Sequence, residues 1–151
     1  MLDPASLDLG YLAQFLGDAV NAEVLKALGN ARLKVSHGYV VQHLLGGPRS
    51  IGELAGLLGV TQQAVSKTVR EMGPLVKPAP SDDRREHRVA LSARGLATVQ
   101  ATRAHRQGLD RRLRKRLGDR RVDAARALLL EALELLGGLD DVRHRRVRRP
   151  S

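Results

Sequence analysis

The stretch SIGELAGLLGVTQQAVSKTVREM, Ser50 to Met72, reads as two short helices joined by a sharp turn. It opens on a capping box, in which the Ser50 hydroxyl accepts the backbone N–H of Glu53 and the Glu53 carboxylate reaches back to the Ser50 amide. The first helix carries Ile51, Leu54, Ala55 and Leu58 and turns at Gly59, a residue free to adopt the backbone that a tight turn requires. Thr61 caps a second helix through about Met72, with Val65, Val69 and Met72 on its inner face. Ala55 is small where the helices cross, Val60 and Val65 plug the angle between them, and Leu54 and Leu58 face the rest of the domain. That is the steric pattern of a helix-turn-helix. The opposite face of the second helix presents Gln62, Gln63, Ser66, Lys67 and Arg70, donors suited to base edges and phosphates. With Ser50 and Thr61 at the two helix starts, these residues form the candidate DNA-contact set.

Gly73-Pro74 ends the second helix, and two short strand signals follow. Prolines limit Leu75 to Pro80 to an edge strand, whereas His87 to Ser92 alternates Val89 and Leu91 with polar neighbours. Between them lies the polar turn Ser81-Asp82-Asp83-Arg84-Arg85-Glu86. The expectation is a β-hairpin wing over 75–92 with a basic tip, which adds Arg84, Arg85 and Arg88 to the contact set.

Helices flank this unit on both sides. Asp3-Pro4 reads as an N-cap and first helical residue, opening a helix to about Leu28 with Leu9, Leu12, Leu16, Ala19 or Val20, Val24 and Leu28 on one stripe. Leu33 to Leu45 reads as a further helix, ended by Gly46-Gly47-Pro48 and weakened by Gly38. Ser92 caps a long helix to about Leu117. Asp119 or its neighbours start a last one, striped by Val122, Ala125, Leu128, Leu129, Ala132, Leu133 and Leu136 and closed by Gly137-Gly138. The organisation expected is a dimerisation helix over 1–30, a winged helix-turn-helix over 31–99 with its recognition helix at 61–72, dimerisation helices over 100–141, and a basic, disordered tail over 142–151.

Composition supports a mostly α chain and narrows its partners. Apolar residues make up 42% of the sequence but aromatics only 2%, so Leu, Val and Ala fill the core, which favours packed helices over a β-sandwich. The formal charge of +10, most of it from Arg, attracts polyanions, and nucleic acid is the first to consider. A membrane surface would call for bulky apolar anchors, but Trp is absent and Phe occurs once. No membrane-spanning run and no secretory leader pattern occur, so the expected location is the cytoplasm.

The helix pair Ser50 to Met72, the wing Asp83-Arg84-Arg85 with Val89-Ala90-Leu91-Ser92-Ala93-Arg94-Gly95, and the leading Leu9-Gly10-Tyr11-Leu12 together resemble the MarR family of bacterial transcription regulators, over about Leu7 to Leu136. The resemblance implies a homodimer whose first and last helices interlock, recognition helices in successive major grooves of double-stranded DNA, and wings reaching the minor groove. It makes Arg85 the wing arginine and Asp83 the carboxylate that steadies it. It also implies a cleft for a small aromatic or anionic ligand, for which Tyr11, Phe15, His37 and Tyr39 are the available lining. Tyr11 and Phe15 read equally as the largest members of a dimer core. Two departures stand out: the recognition helix reaches the wing about three residues early through Gly73-Pro74, and Thr68 replaces an aliphatic residue.

Chemistry beyond binding finds little support. The absence of Cys excludes thiolate metal sites, disulfides and cysteine nucleophiles. The five His form no pair at helical ligand spacing, and no nucleophile–base pattern or phosphate loop occurs, so no metal, no cofactor and no catalysis is expected. The row Arg103, Arg106, Arg111, Arg112, Arg114, Lys115 and Arg116 reads as the solvated face of a dimer stalk. The Arg-rich tail is either solvated or an arm along phosphates. The sequence thus describes a DNA-binding repressor acting on a pseudo-palindromic operator as a homodimer and released by a small ligand. The alternative is a sequence-tolerant architectural DNA-binding protein.

Overall fold

Three serine and threonine caps set the frame. Ser50, Thr61 and Ser92 each accept the amide three residues on, at 3.1, 3.2 and 3.0 Å, and so fix the starts of three helices. The structure is a computed structural model that describes residues 3–29, 33–83 and 86–144. Its order is α1 (Leu9–Leu28), α2 (Val35–Leu44), β1 (Arg49–Ser50), α3 (Ile51–Leu58), α4 (Gln62–Met72), β2 (Val76–Ala79), β3 (Arg88–Leu91), α5 (Ala93–Leu117), α6 (Asp119–Leu135) and α7 (Leu139–His144). The fold is mostly α with a small antiparallel sheet, the winged helix-turn-helix class expected from the sequence.

The core lies where α2, α3 and α4 meet the sheet and the start of α5. Leu54, Val65, Val40 and Met72 are almost wholly buried, joined by Leu44, Ala55, Leu58, Leu75, Val89, Leu91 and Val99. Each fully buried aliphatic side chain contributes roughly 1.5–3 kcal/mol. Gly59 takes the left-handed conformation at φ 66°, and Val60 and Val69 pack against the core from its edge.

Three features differ from the sequence expectations. Asp3 and Pro4 open only a single 3-10 turn, Pro4–Ser6; Leu7 is extended and α1 starts under a second cap, Asp8, which accepts the Tyr11 amide at 3.0 Å. The later cap prevails because it directly precedes the apolar stripe. The wing is a three-stranded sheet in the order β1-β3-β2, since Arg49 and Ser50 pair with Val89 and Arg88. Val142 to His144, placed by the sequence reading in a disordered tail, form the end of α7; 145–151 lie outside the described residues.

The flanking helices bury little in one chain. Only Val24 of α1 is buried, and no residue of α6 is. Leu12, Phe15, Leu16, Leu128, Leu133 and Leu136 all stay exposed, with Leu135 at 87%. No described helix is long and apolar enough to cross a membrane.

Candidate nucleic-acid interface

The helix pair is held rigidly from both ends. At the start of α3 the capping box closes on both sides, with the Ser50 amide donating to Glu53 at 2.7 Å. The Ile51 amide donates to the His87 carbonyl at 3.2 Å, so the sheet grips the same point. At the far end of α4, Gly73 adopts φ 51° and ψ −118°, a conformation that L residues rarely reach. Gly73 leads directly into a 3-10 turn through Leu75 and then into β2. The short Gly73-Pro74 connection is therefore a single compact turn with Leu75 buried. The Ser92 amide and hydroxyl donate to the carbonyls of Leu75 and Pro74 at 3.0 and 2.6 Å, locking the start of α5 onto it.

This frame leaves one face of α4 open. Gln62, Gln63, Lys67 and Arg70 are exposed and Ser66 is half-buried. Gln62 lies over Gly52 at the start of α3, and Arg70 folds along its own helix, its Nε donating to the Ser66 carbonyl at 3.4 Å. Thr61 is exposed, but its hydroxyl caps the helix. The first turn of α4 holds no acidic residue, so the partial positive charge of its amides is not neutralised there. Thr68, half-buried, donates to the Ala64 carbonyl at 3.0 Å and so satisfies its hydroxyl within the helix.

Two residues in the expected contact set have partners within the fold. Ser50 is buried, and its hydroxyl is engaged in the capping box rather than offered to a ligand. Arg88 reaches the Pro48 carbonyl and Glu86 at 3.1 Å and Glu53 at 3.4 Å, so it braces β3 against α3. A hydroxyl and a guanidinium suit phosphate, but the partners of both here are internal. Arg84 and Arg85 lie outside the described residues. Asp83 sits in the turn, where its carbonyl accepts the Glu86 amide at 3.0 Å.

A cluster that the sequence did not signal joins α2 to the end of α4. Lys34 pairs with Glu71 at 2.8 Å, and the buried His37 places Nε2 3.8 Å from the same carboxylate, with no hydrogen-bond partner. Burial pushes the His37 pKa down, against the opposing pull of Glu71. Lys34 holds Glu71 below the usual carboxylate range. The four candidate ligand-lining residues differ in burial, and none of them lines the groove between α1 and α5. Tyr11, Phe15 and Tyr39 are exposed and His37 is buried. An open groove of about 490 Å³ lies instead between α1 and α5, lined by Glu23, Ala27, His105, Leu109, Arg111, Arg112 and their neighbours.

The same arrangement of helices and wing recurs in solved structures. RV1404 from Mycobacterium tuberculosis superposes with a TM-score of 0.68 at 21% identity, covering 88% of this chain and 97% of its own. The fold is that of the MarR-like winged-helix proteins. A mutant of MarR from E. coli matches with a TM-score of 0.64 at 21% identity, over 84% of this chain and 97% of that one. An S. aureus MepR mutant solved bound to an oligodeoxyribonucleotide matches at 0.62 and 18% identity, over 87% and 99%. No protein-family model and no curated protein sequence matches this chain. The MarR-like fold therefore comes from the structure, at identities that speak for architecture alone.

Proposed function

We propose that this chain is a MarR-family transcription regulator that binds double-stranded DNA as a homodimer and represses by occluding a promoter. The observation that carries the reading is α4: an exposed row of Gln63, Lys67 and Arg70, with no acid in its first turn, on a helix clamped at both ends. Gln63 reads a base edge, Lys67 and Arg70 hold phosphates, and Arg84 and Arg85 belong to the wing contact by their place in the sequence. The homodimer is supported by the apolar faces of α1 and α6, which one chain leaves uncovered. Release by a small aromatic or anionic ligand remains part of the reading through Tyr11, Phe15 and Tyr39, which a partner protomer would enclose. The activity is binding, without catalysis, and belongs in the cytoplasm with the DNA.

Selection from a pool of random duplexes, followed by affinity for the selected site against random DNA at fixed salt, tests the proposal. A ratio of about 10³ or more is expected. A ratio near one would replace this reading with that of an architectural protein.

A further inference from the structure

The end of α5 farthest from the wing carries a second concentration of positive charge. Between Asp110 and Asp123 the sequence sets seven Arg and Lys side chains against three carboxylates. A single cation gathers all three acids: Arg114 reaches Asp110 and Asp123 at 2.8 Å and Asp119 at 3.4 Å. This clamp closes the elbow between α5 and α6, where Gly118 is the joint. Arg112 faces Glu23 at 3.6 Å. Arg111, Lys115, Arg116, Arg120 and Arg121 are exposed and form no ion pair among the described residues.

We propose that this elbow is a second phosphate-binding surface, which holds one segment of duplex DNA while the recognition helices hold another. The inference rests on the DNA-binding reading of α4 and deepens it to a bridging activity. α5 runs for 25 residues, so the elbow stands about 37 Å along the helix from Ser92, too far for its side chains to share the phosphates that the wing contacts. Arg111 with Lys115, and Arg112 with Arg116, repeat one turn apart, roughly 5–6 Å, and form a row that suits a dense linear polyanion. Guanidinium forks pair with phosphate oxygens through two hydrogen bonds, which favours arginine for this task. An anionic lipid surface fits less well, because the chain has no Trp and its single Phe lies on α1.

The test uses the full chain, a short random-sequence duplex fixed to beads, and a second, fluorescent duplex. Wild-type protein loaded on the beads is expected to capture the second duplex, with capture falling steeply as salt rises. The elbow variant Arg111→Ala, Lys115→Ala, Arg116→Ala, Arg120→Ala, Arg121→Ala should hold the first duplex within about twofold and capture roughly tenfold less of the second. Equal capture by wild type and variant overturns the proposal. So does a changed oligomeric state of the variant in light scattering, since the cations would then face the acids of a second copy. A variant that loses binding to phosphatidylserine vesicles while still capturing duplex overturns it in favour of a membrane. Failure of the α4 reading is separate: added to the elbow variant, Gln63→Ala, Lys67→Ala, Arg70→Ala would then leave binding of the fixed duplex unchanged, whatever the elbow variant alone shows.

Discussion

The carbonyl oxygen of Leu75 occupies the space where a side chain on Gly95 would have to stand. The same oxygen accepts the Ser92 amide, so the first turn of α5 is seated directly on the turn that leaves α4. Gly95 is thus required by a close approach of backbone to helix, with no left-handed conformation involved.

Gly95→Ala should therefore destabilise the chain by about 1–3 kcal/mol, because backbone on both sides must shift. Gly38→Ala is the contrast: that glycine lies within α2 with open space where a Cβ would go, and the change should stabilise by up to about 1 kcal/mol. Urea denaturation of the two variants checks both signs. Equal effects would mean that α5 is not seated on Leu75.

Ser50 and Gln63 should separate support from reading. Ser50→Ala removes a cap and should cost about 1 kcal/mol of stability while leaving the preferred DNA sequence unchanged. Gln63→Ala should leave stability alone, cost about 1–3 kcal/mol of affinity at one base position per half-site, and relax preference there. Repeating the duplex selection on both variants decides the matter. A shifted preference in Ser50→Ala would return that hydroxyl to the contact surface.

Much of this was legible because its causes are local. A cap involves atoms three residues apart, so Ser50, Thr61 and Ser92 announce their helices in sequence, and the alternation of Val89 with Leu91 announces β3. The two-residue strand β1 has no such signal, since only its pairing with Arg88 and Val89 makes it a strand. In the sequence Arg88 resembles a phosphate ligand because its acceptor, the Pro48 carbonyl, is 40 residues away, and Lys34 meets Glu71 across 37. Asp3 and Asp8 are both good caps, and only packing of the stripe that follows chooses between them.

His37 should make stability fall in mild acid. In the unfolded chain its imidazole takes up a proton near 6.5, whereas the folded pKa is lower because the ring is buried. Between the two values the unfolded state holds the extra proton, so stability drops as pH falls below about 6.5 and levels off once below the folded value. The difference between wild type and His37→Gln in urea midpoint, taken from pH 7.5 downward, should show this limb. Parallel profiles would assign the acid sensitivity to other groups.

Light scattering at micromolar concentration should give a mass of about 33 kDa, twice the 16.5 kDa chain. Leu16→Glu with Leu133→Glu should halve it. Both side chains are exposed within one chain, so a monomer produced this way should keep its helical content. A wild-type monomer would contradict the dimer.

The contacts of Ser92 with Pro74 and Leu75 make α5 the handle of a lever whose working end is α4. With an arm of about 37 Å, a turn of about 5° at the elbow displaces the far end by about 3 Å, close to the 3.4 Å rise between successive base pairs. Because the Ser92 hydrogen bonds join α5 to the turn that ends α4, such a rotation moves α4 as a whole helix, and under the proposed DNA-binding reading a small torque at the distal end suffices to put the protein out of step with a duplex.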